Sequence, residues 1–222
     1  MEETKELEAK QISLSVAARL LGYPEDDFHA SLKELIEAVL EAGDPALNTQ
    51  LEAAIRPLLS CPLKELREQY VWTFDWKDKT GLYLTAHELG DSRDRGAALI
   101  LLQHIISDAG FAASNGELAD YMPLLYELLA LRPEHVHVRA LELRLAVATK
   151  RVAEHLEQDS PYRELFRHLM QDVFGEPAEE DIRRLEQKRE QADLDVLPYP
   201  ILYGMDGTAR TGTDLPQFKM CN

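Results

Sequence analysis

Residues 70–123 read YVWTFDWKDKTGLYLTAHELGDSRDRGAALILLQHIISDAGFAASNGELADYMP. Helical period and its interruptions alternate in this stretch, and that pattern decides the fold. Leu63, Leu66, Tyr70 and Phe74 recur every three or four residues, which predicts a helix ending near Asp75. Residues 77–81, KDKTG, form a polar break. Residues 82–87, LYLTAH, then lead to Gly90. Asp91 or Ser92 is placed to cap the next helix by accepting hydrogen bonds from its free N–H groups. That helix runs through Leu102 to about Asp108 and stops at Gly110, a residue suited to the position just past a helix end.

Working outward, nearly every other segment also has a helical period. Ile12, Val16 and Leu20 mark a first helix, ended by Gly22-Tyr23-Pro24. Leu32, Leu35, Ile36, Val39 and Leu40 mark a second, ended by Gly43. Leu47, Leu51, Ile55 and Leu58 mark a third, which Pro57 should kink or shorten. Tyr121, Leu125, Leu128 and Leu129 predict a helix ending before Arg132-Pro133. Two more run from about Glu134 to Glu157 and from Pro161 to Phe174, the last capped by Ser160. Alternating strands are essentially missing. The sequence therefore predicts an all-α fold: a compact single-domain bundle of about eight helices over 1–175. Over 176–222 it predicts a charged helix (179–192) and a partly flexible tail, since prolines and glycines crowd its end. Within that tail Val196, Leu197, Tyr199, Ile201, Leu202 and Tyr203 are too apolar for a fully solvated linker and suit docking on the body or on a partner.

The chain has 222 residues and a formal net charge of -16. One domain of this length can bury a sizeable core. The acidity argues against nucleic acid as a partner, because phosphate binding needs basic surface. It serves either solubility or the steering of a basic partner. With only Cys61 and Cys221, a disulfide framework is not expected and a reducing cytosol fits. The acidic N-terminus does not read as a signal peptide. No apolar run approaches the roughly 18 residues of a membrane span, so no direct membrane insertion is expected.

Catalytic and metal-binding patterns are not found. His135 and His137 are two apart, on different faces of a regular helix, and no pair of histidines is spaced four apart. Cys61 has no local His–Asp arrangement, and phosphate-loop and dinucleotide glycine signatures are missing. The expectation is a protein with no active site and no cofactor. The candidate surface is aromatic and charged. Tyr70 and Phe74 lie on the core stripe of their helix, whereas Trp72 and Trp76 lie off it and suit a hydrophobic contact patch. Tyr83, His87 and Tyr121 complete the group. Glu117 and Asp120 suit either capping of the following helix or pairing with basic residues of a bound peptide. Asp91 and Asp94 can pair with Arg93 and Arg95 to brace the helix start at Gly96, or the arginines can hold a loop that frames a groove.

The order YVxTFD, LYLTxH, GDxRxRG, ELxDYMP resembles the nitrate reductase delta-subunit family, the NarJ-type assembly chaperones within the wider TorD/DmsD group. The matching residues are Tyr70, Val71, Thr73, Phe74 and Asp75; Leu82, Tyr83, Leu84 and Thr85; Gly90, Asp91, Arg93, Arg95 and Gly96; and Glu117, Leu118, Asp120, Tyr121 and Pro123. Ala119 stands where family members often carry proline. The likeness is strong over 70–130, loose over 10–60 and weak beyond about 175. It implies an all-α cytoplasmic chaperone, monomeric or a weak homodimer. Its implied client is the catalytic (alpha) subunit of a respiratory nitrate reductase, bound at its N-terminal peptide and kept competent for molybdenum cofactor insertion. Such chaperones do not remain in the finished enzyme. The implied contact residues are Tyr70, Trp72, Phe74, Trp76, Tyr83, His87, Glu117, Asp120 and Tyr121, supported by Asp91, Arg93, Arg95 and Gly96. Two rival classes stay open: a helical enzyme or nucleotide binder, and a structural subunit of the mature oxidoreductase.

Overall fold

A computed structural model of the chain describes residues 2–41, 44–111 and 116–184, together with the pairs 202–203 and 209–210. Nine α-helices stand in it among the described residues: α1 (Glu2–Leu20), α2 (Phe28–Glu41), α3 (Pro45–Ser60), α4 (Leu63–Tyr70), α5 (Leu84–Leu89), α6 (Arg95–Asp108), α7 (Met122–Leu131), α8 (Val136–His155) and α9 (Arg163–His168). Two of them continue without a break into π-helical turns, α4 into Val71–Asp75 and α9 into Leu169–Phe174. The all-α reading holds. No helix among the described residues is long and apolar enough to cross a membrane.

Burial follows the periodicity. In α8, Val138, Leu141, Leu145, Ala148 and Val152 face inward at helical spacing. α1 lies along α7, α3 packs on α2 and α9, and α8 backs α7 and the second π turn. The Asp44 carboxylate caps α3 by accepting from the N–H groups of Ala46 (2.9 Å) and Leu47 (3.2 Å), with Pro45 in the first turn. Of the two effects expected of Pro57, shortening does not occur: α3 runs on to Ser60. Burial of Leu58 and packing against α9 hold the last turn despite the missing N–H. LTAHEL, read as a lead into Gly90, is itself the short helix α5. In the tail, Leu202 pairs with Arg210 and Tyr203 with Ala209 in an antiparallel ladder, so the prolines and glycines there do not exclude all regular structure. The rest of the expected tail, and the charged helix beyond a helical turn at 179–184, lie outside the described residues.

A polar node sits in the core. The His168 imidazole lies 2.9 Å (Nε2) from the Ser13 hydroxyl and 3.0 Å (Nδ1) from the Asp172 carboxylate, which also accepts from Gln50 at 3.0 Å. The order Ser–His–Asp resembles a hydrolytic triad. Ser13 and His168 are each only 1% exposed, however, so the node ties α1 to α9 rather than meeting a substrate. Burial pulls the His168 pKa below 6.5, assisted by the charge of Arg167 and opposed by Asp172. The unfolded chain then binds the proton better than the folded one. This contribution to stability is complete above about pH 6.5 and is lost as pH falls below it. Denaturant titrations from about pH 7.5 down to about pH 5 should show that decline, and His168→Asn should flatten it. An equal slope in both proteins would exclude His168 as its source.

Candidate functional site

The residues of 70–95 and 117–121 converge on one face. In the first π turn the Trp76 N–H bonds back five residues to the Val71 carbonyl at 3.1 Å. That geometry turns Phe74 into the core, where its ring lies 5.1 Å from Tyr70, 4.8 Å from Tyr162 and 6.3 Å from Phe166. Trp72 and Trp76 point out, 51% and 73% exposed, with ring centroids 6.1 Å apart. The loop after the turn is tied down from both ends. The Thr80 hydroxyl donates to the Thr73 carbonyl, and His87 Nε2 bonds the Gly81 carbonyl at 2.7 Å. His87 is buried, so it braces this loop from α5.

Opposite the loop, Tyr83 and Tyr121 form an isolated antiparallel bridge. The Leu84 N–H donates to the Asp120 carbonyl and the Met122 N–H to the Leu82 carbonyl, each at 2.8 Å. The two phenol rings lie 5.7 Å apart. The hydroxyls of Tyr70 and Tyr121 both reach the Leu21 carbonyl, at 3.1 and 3.0 Å, and anchor the pair to the end of α1. Burial raises the pKa of Tyr70 and Tyr83 and pushes Tyr121 up to about 12, so all three stay protonated donors at neutral pH.

Asp120 is 0% exposed. Its Oδ2 accepts from the Thr85 hydroxyl and, at 3.3 Å, from the Thr85 N–H. Arg95 Nη2 stands 3.6 Å away and also donates through Nε to the Thr85 hydroxyl at 3.2 Å. Asp120 thus caps α5 across the bridge, not the helix that follows it. This corrects the expected pairings at 91–96. Asp91 is exposed and caps no helix among the described residues; α6 begins after Asp94, whose N–H donates to the Ser92 hydroxyl at 3.2 Å. Arg93 is exposed and pairs with no carboxylate among the described residues. Gly96 is exposed in the first turn of α6. Gly90 is needed for conformation: its φ of 55° makes the turn between α5 and α6.

Clefts flank the tyrosine pair. One of about 560 Å³ is lined by Asp75, Asp78, Asp91, Lys77, Arg95 and Tyr83, among others. A smaller one, about 200 Å³, is lined by Glu117, Glu127, Arg19 and Tyr121. Periodicity marked Asp75 only as a helix end. Its carboxyl pKa is raised by burial, and its charge reaches Tyr70, Tyr83 and Tyr121. Tyr23, packed edge-on against Tyr70 at 5.4 Å, was also missed, as it precedes Pro24 outside any periodic run. The clefts thus bring phenol rings together with carboxylates, and with the cations Lys77, Arg95 and Arg19, on one face. Among the described residues no group of three or more potential ligands is placed to hold a metal ion. His135 and His137 do approach, with rings 5.7 Å apart, because His135 sits at the helix start and not within a regular turn.

No family model matches the chain. Curated relatives do. It is 32% identical over 162 residues to the probable nitrate reductase molybdenum cofactor assembly chaperone NarJ of Bacillus subtilis, which covers 72% of this chain and 88% of that one. It is 30% identical over 161 residues to the corresponding NarJ of Escherichia coli K12, covering 72% and 68%. The probable chaperone NarW of the same strain is 30% identical over 159 residues, covering 71% of this chain and 66% of its own. With an all-α fold and this extent of identity, the chain belongs to the family of nitrate reductase molybdenum cofactor assembly chaperones.

Proposed function

We propose that this protein is a cytoplasmic chaperone dedicated to a nitrate reductase. It binds the N-terminal peptide of the catalytic subunit, keeps that subunit competent for molybdenum cofactor insertion and membrane assembly, and leaves before the enzyme is complete. It carries out no catalysis itself. The observation that supports this best is the pair of clefts around Tyr83 and Tyr121, where Asp75, Glu117 and Glu127 stand beside aromatic faces. An amphipathic helical peptide with basic residues fits such a surface, its apolar side on the rings and its cations on the carboxylates. Tyr83, Tyr121, Trp72, Trp76 and Glu117 touch the client. Tyr70, Phe74, His87, Asp120 and Arg95 hold those residues in place from beneath.

Titration with a synthetic peptide of the catalytic subunit's N-terminus tests this reading. Affinity should fall as salt rises, because exposed charges are screened. Glu117→Gln should weaken binding at low salt by roughly 0.2–1 kcal/mol, the range of an exposed ion pair, with no change in thermal midpoint. Peptide that does not bind the intact chain refutes the reading. Unchanged affinity in Glu117→Gln removes only that carboxylate from the contact.

A further inference from the structure

We propose that the outer face of α6 is a self-association surface, on which a second copy of this chain packs its own α6 antiparallel about a two-fold axis. α6 is apolar on both sides. Leu102, Ile105 and Ile106 hold its inner face against the body. Its outer face nevertheless carries Ile100 and Leu101, each 56% exposed, beside exposed Ala97. A helix on the surface of a monomer ordinarily turns charged and polar residues outward there. Adjoining bare aliphatics at the middle of a helix mark a contact surface.

The pattern along this face selects the occupant. Ala97, Ile100, Leu101, His104 and Asp108 stand at i, i+3, i+4, i+7 and i+11, so they share one side of the helix. Arg93 lies one turn before Ala97, in a turn closed by the Gly96 N–H on the Arg93 carbonyl at 3.3 Å. The face is symmetric about the midpoint between Ile100 and Leu101. Ala97 and His104 are equally far from it, and so are Arg93 and Asp108, each about 11 Å away along the axis. A two-fold axis through that midpoint packs Ile100 on the second copy's Leu101, sets Ala97 against its His104 ring, and brings Arg93 beside its Asp108 at both ends. Arg93 and Asp108 are exposed, and neither has an ion pair among the described residues. Each also opposes the dipole of its own helix, a cation at the N-terminal end and a carboxylate in the last turn. An antiparallel copy reverses both effects, because each charge then meets an opposite charge and the opposite end of a second helix. A basic peptide would instead meet Arg93, and an anionic lipid surface would repel a chain of net charge -16. One face of a 14-residue helix buries less than the roughly 1,600 Å² of a standard interface, so the association is reversible and depends on concentration. None of this rests on the proposed function.

Sedimentation velocity of the full-length protein tests the contact, without client and at about 0.15 M salt, where the like net charges of two copies are screened. From low micromolar to near-millimolar concentration, the weight-average mass should rise from one chain toward two. Ile100→Asp/Leu101→Asp should remain a single chain throughout, with unchanged far-UV circular dichroism and thermal midpoint, since both side chains are exposed. Arg93→Asp and Asp108→Arg should each weaken the dimer roughly tenfold by setting like charges together. Neither should destabilise the monomer, because each new charge suits the helix dipole. The two combined should restore the parent's dissociation constant to within about threefold, since the pair is rebuilt with its signs exchanged. A parent that stays a single chain at every concentration overturns the proposal, as does a dimer that survives Ile100→Asp/Leu101→Asp. A combined variant that dimerises no better than the single ones overturns the antiparallel packing, and the proposal with it.

Discussion

Asp120→Ala is expected to lower the unfolding free energy by about 3 kcal/mol or more, as breaking a buried charged hydrogen-bond group does. Three effects add. The Thr85 N–H and hydroxyl lose their acceptor at a fully buried position, and each unsatisfied buried donor costs about 1–3 kcal/mol. The start of α5 loses its cap. Arg95 loses its counter-charge, although its partial exposure lets water replace some of that contact. Asp120→Asn should cost less, because the amide oxygen can still accept from Thr85. Asp91→Ala, at an exposed carboxylate that caps no helix among the described residues, should stay within about 0.5 kcal/mol of the parent. Urea unfolding of the three variants checks the ranking. A loss below about 1 kcal/mol for Asp120→Ala, or equal losses for Asp91 and Asp120, contradicts it.

Phe74→Ala should destabilise by about 3–5 kcal/mol, the range for truncating a buried phenylalanine. Its ring is the hub between Tyr70 on α4 and Tyr162 and Phe166 at α9. The cavity left behind is bounded by rings fixed on two different helices, so it collapses poorly. A second consequence distinguishes Phe74 from any other core residue. It lies in the same π turn as Trp72 and directly before the Asp75–Trp76 step, so its loss should free the turn and change tryptophan emission even below the unfolding transition. Phe74→Leu keeps most of the volume and should cost under about 1.5 kcal/mol if the cavity dominates. Equal losses for the alanine and leucine variants would instead point to the aromatic edge contacts.

The sequence marked the residues of the candidate site unevenly, for a physical reason. Tyr83, Tyr121, Glu117 and both tryptophans were legible because their residue types are unusual for a core and their neighbours break the helical period. Asp120 was legible as an acid beside a helix start, but two readings fitted it equally, and only its burial under Thr85 and Arg95 separates them. At the Gly90–Gly96 junction the Ser92 alternative holds, since its hydroxyl accepts the Asp94 N–H, whereas the Asp91 cap and the local arginine–aspartate pairs, assigned by nearness in sequence, do not form. The chain instead starts α6 three residues later and sends Arg95 across to a carboxylate 25 positions away. Asp75 stood out only in the YVxTFD likeness and not in the helical period, and Tyr23 carried no local signal; what singles both out in the fold is the approach of Tyr70.

By itself, the sequence determined the helical class, the approximate ends of most helices, the acidity and the kinship in 70–130. Helical period and glycine stops are local properties, set within a few residues along the chain. Tertiary structure alone decided that α3 continues through Pro57, that LTAHEL is a helix, and that α4 and α9 end in π turns. It also decided which candidates face solvent and which are buried beneath them. Those outcomes depend on long-range contacts such as Leu21 with Tyr121 and Thr85 with Asp120, whose free energy exceeds the local preferences they override.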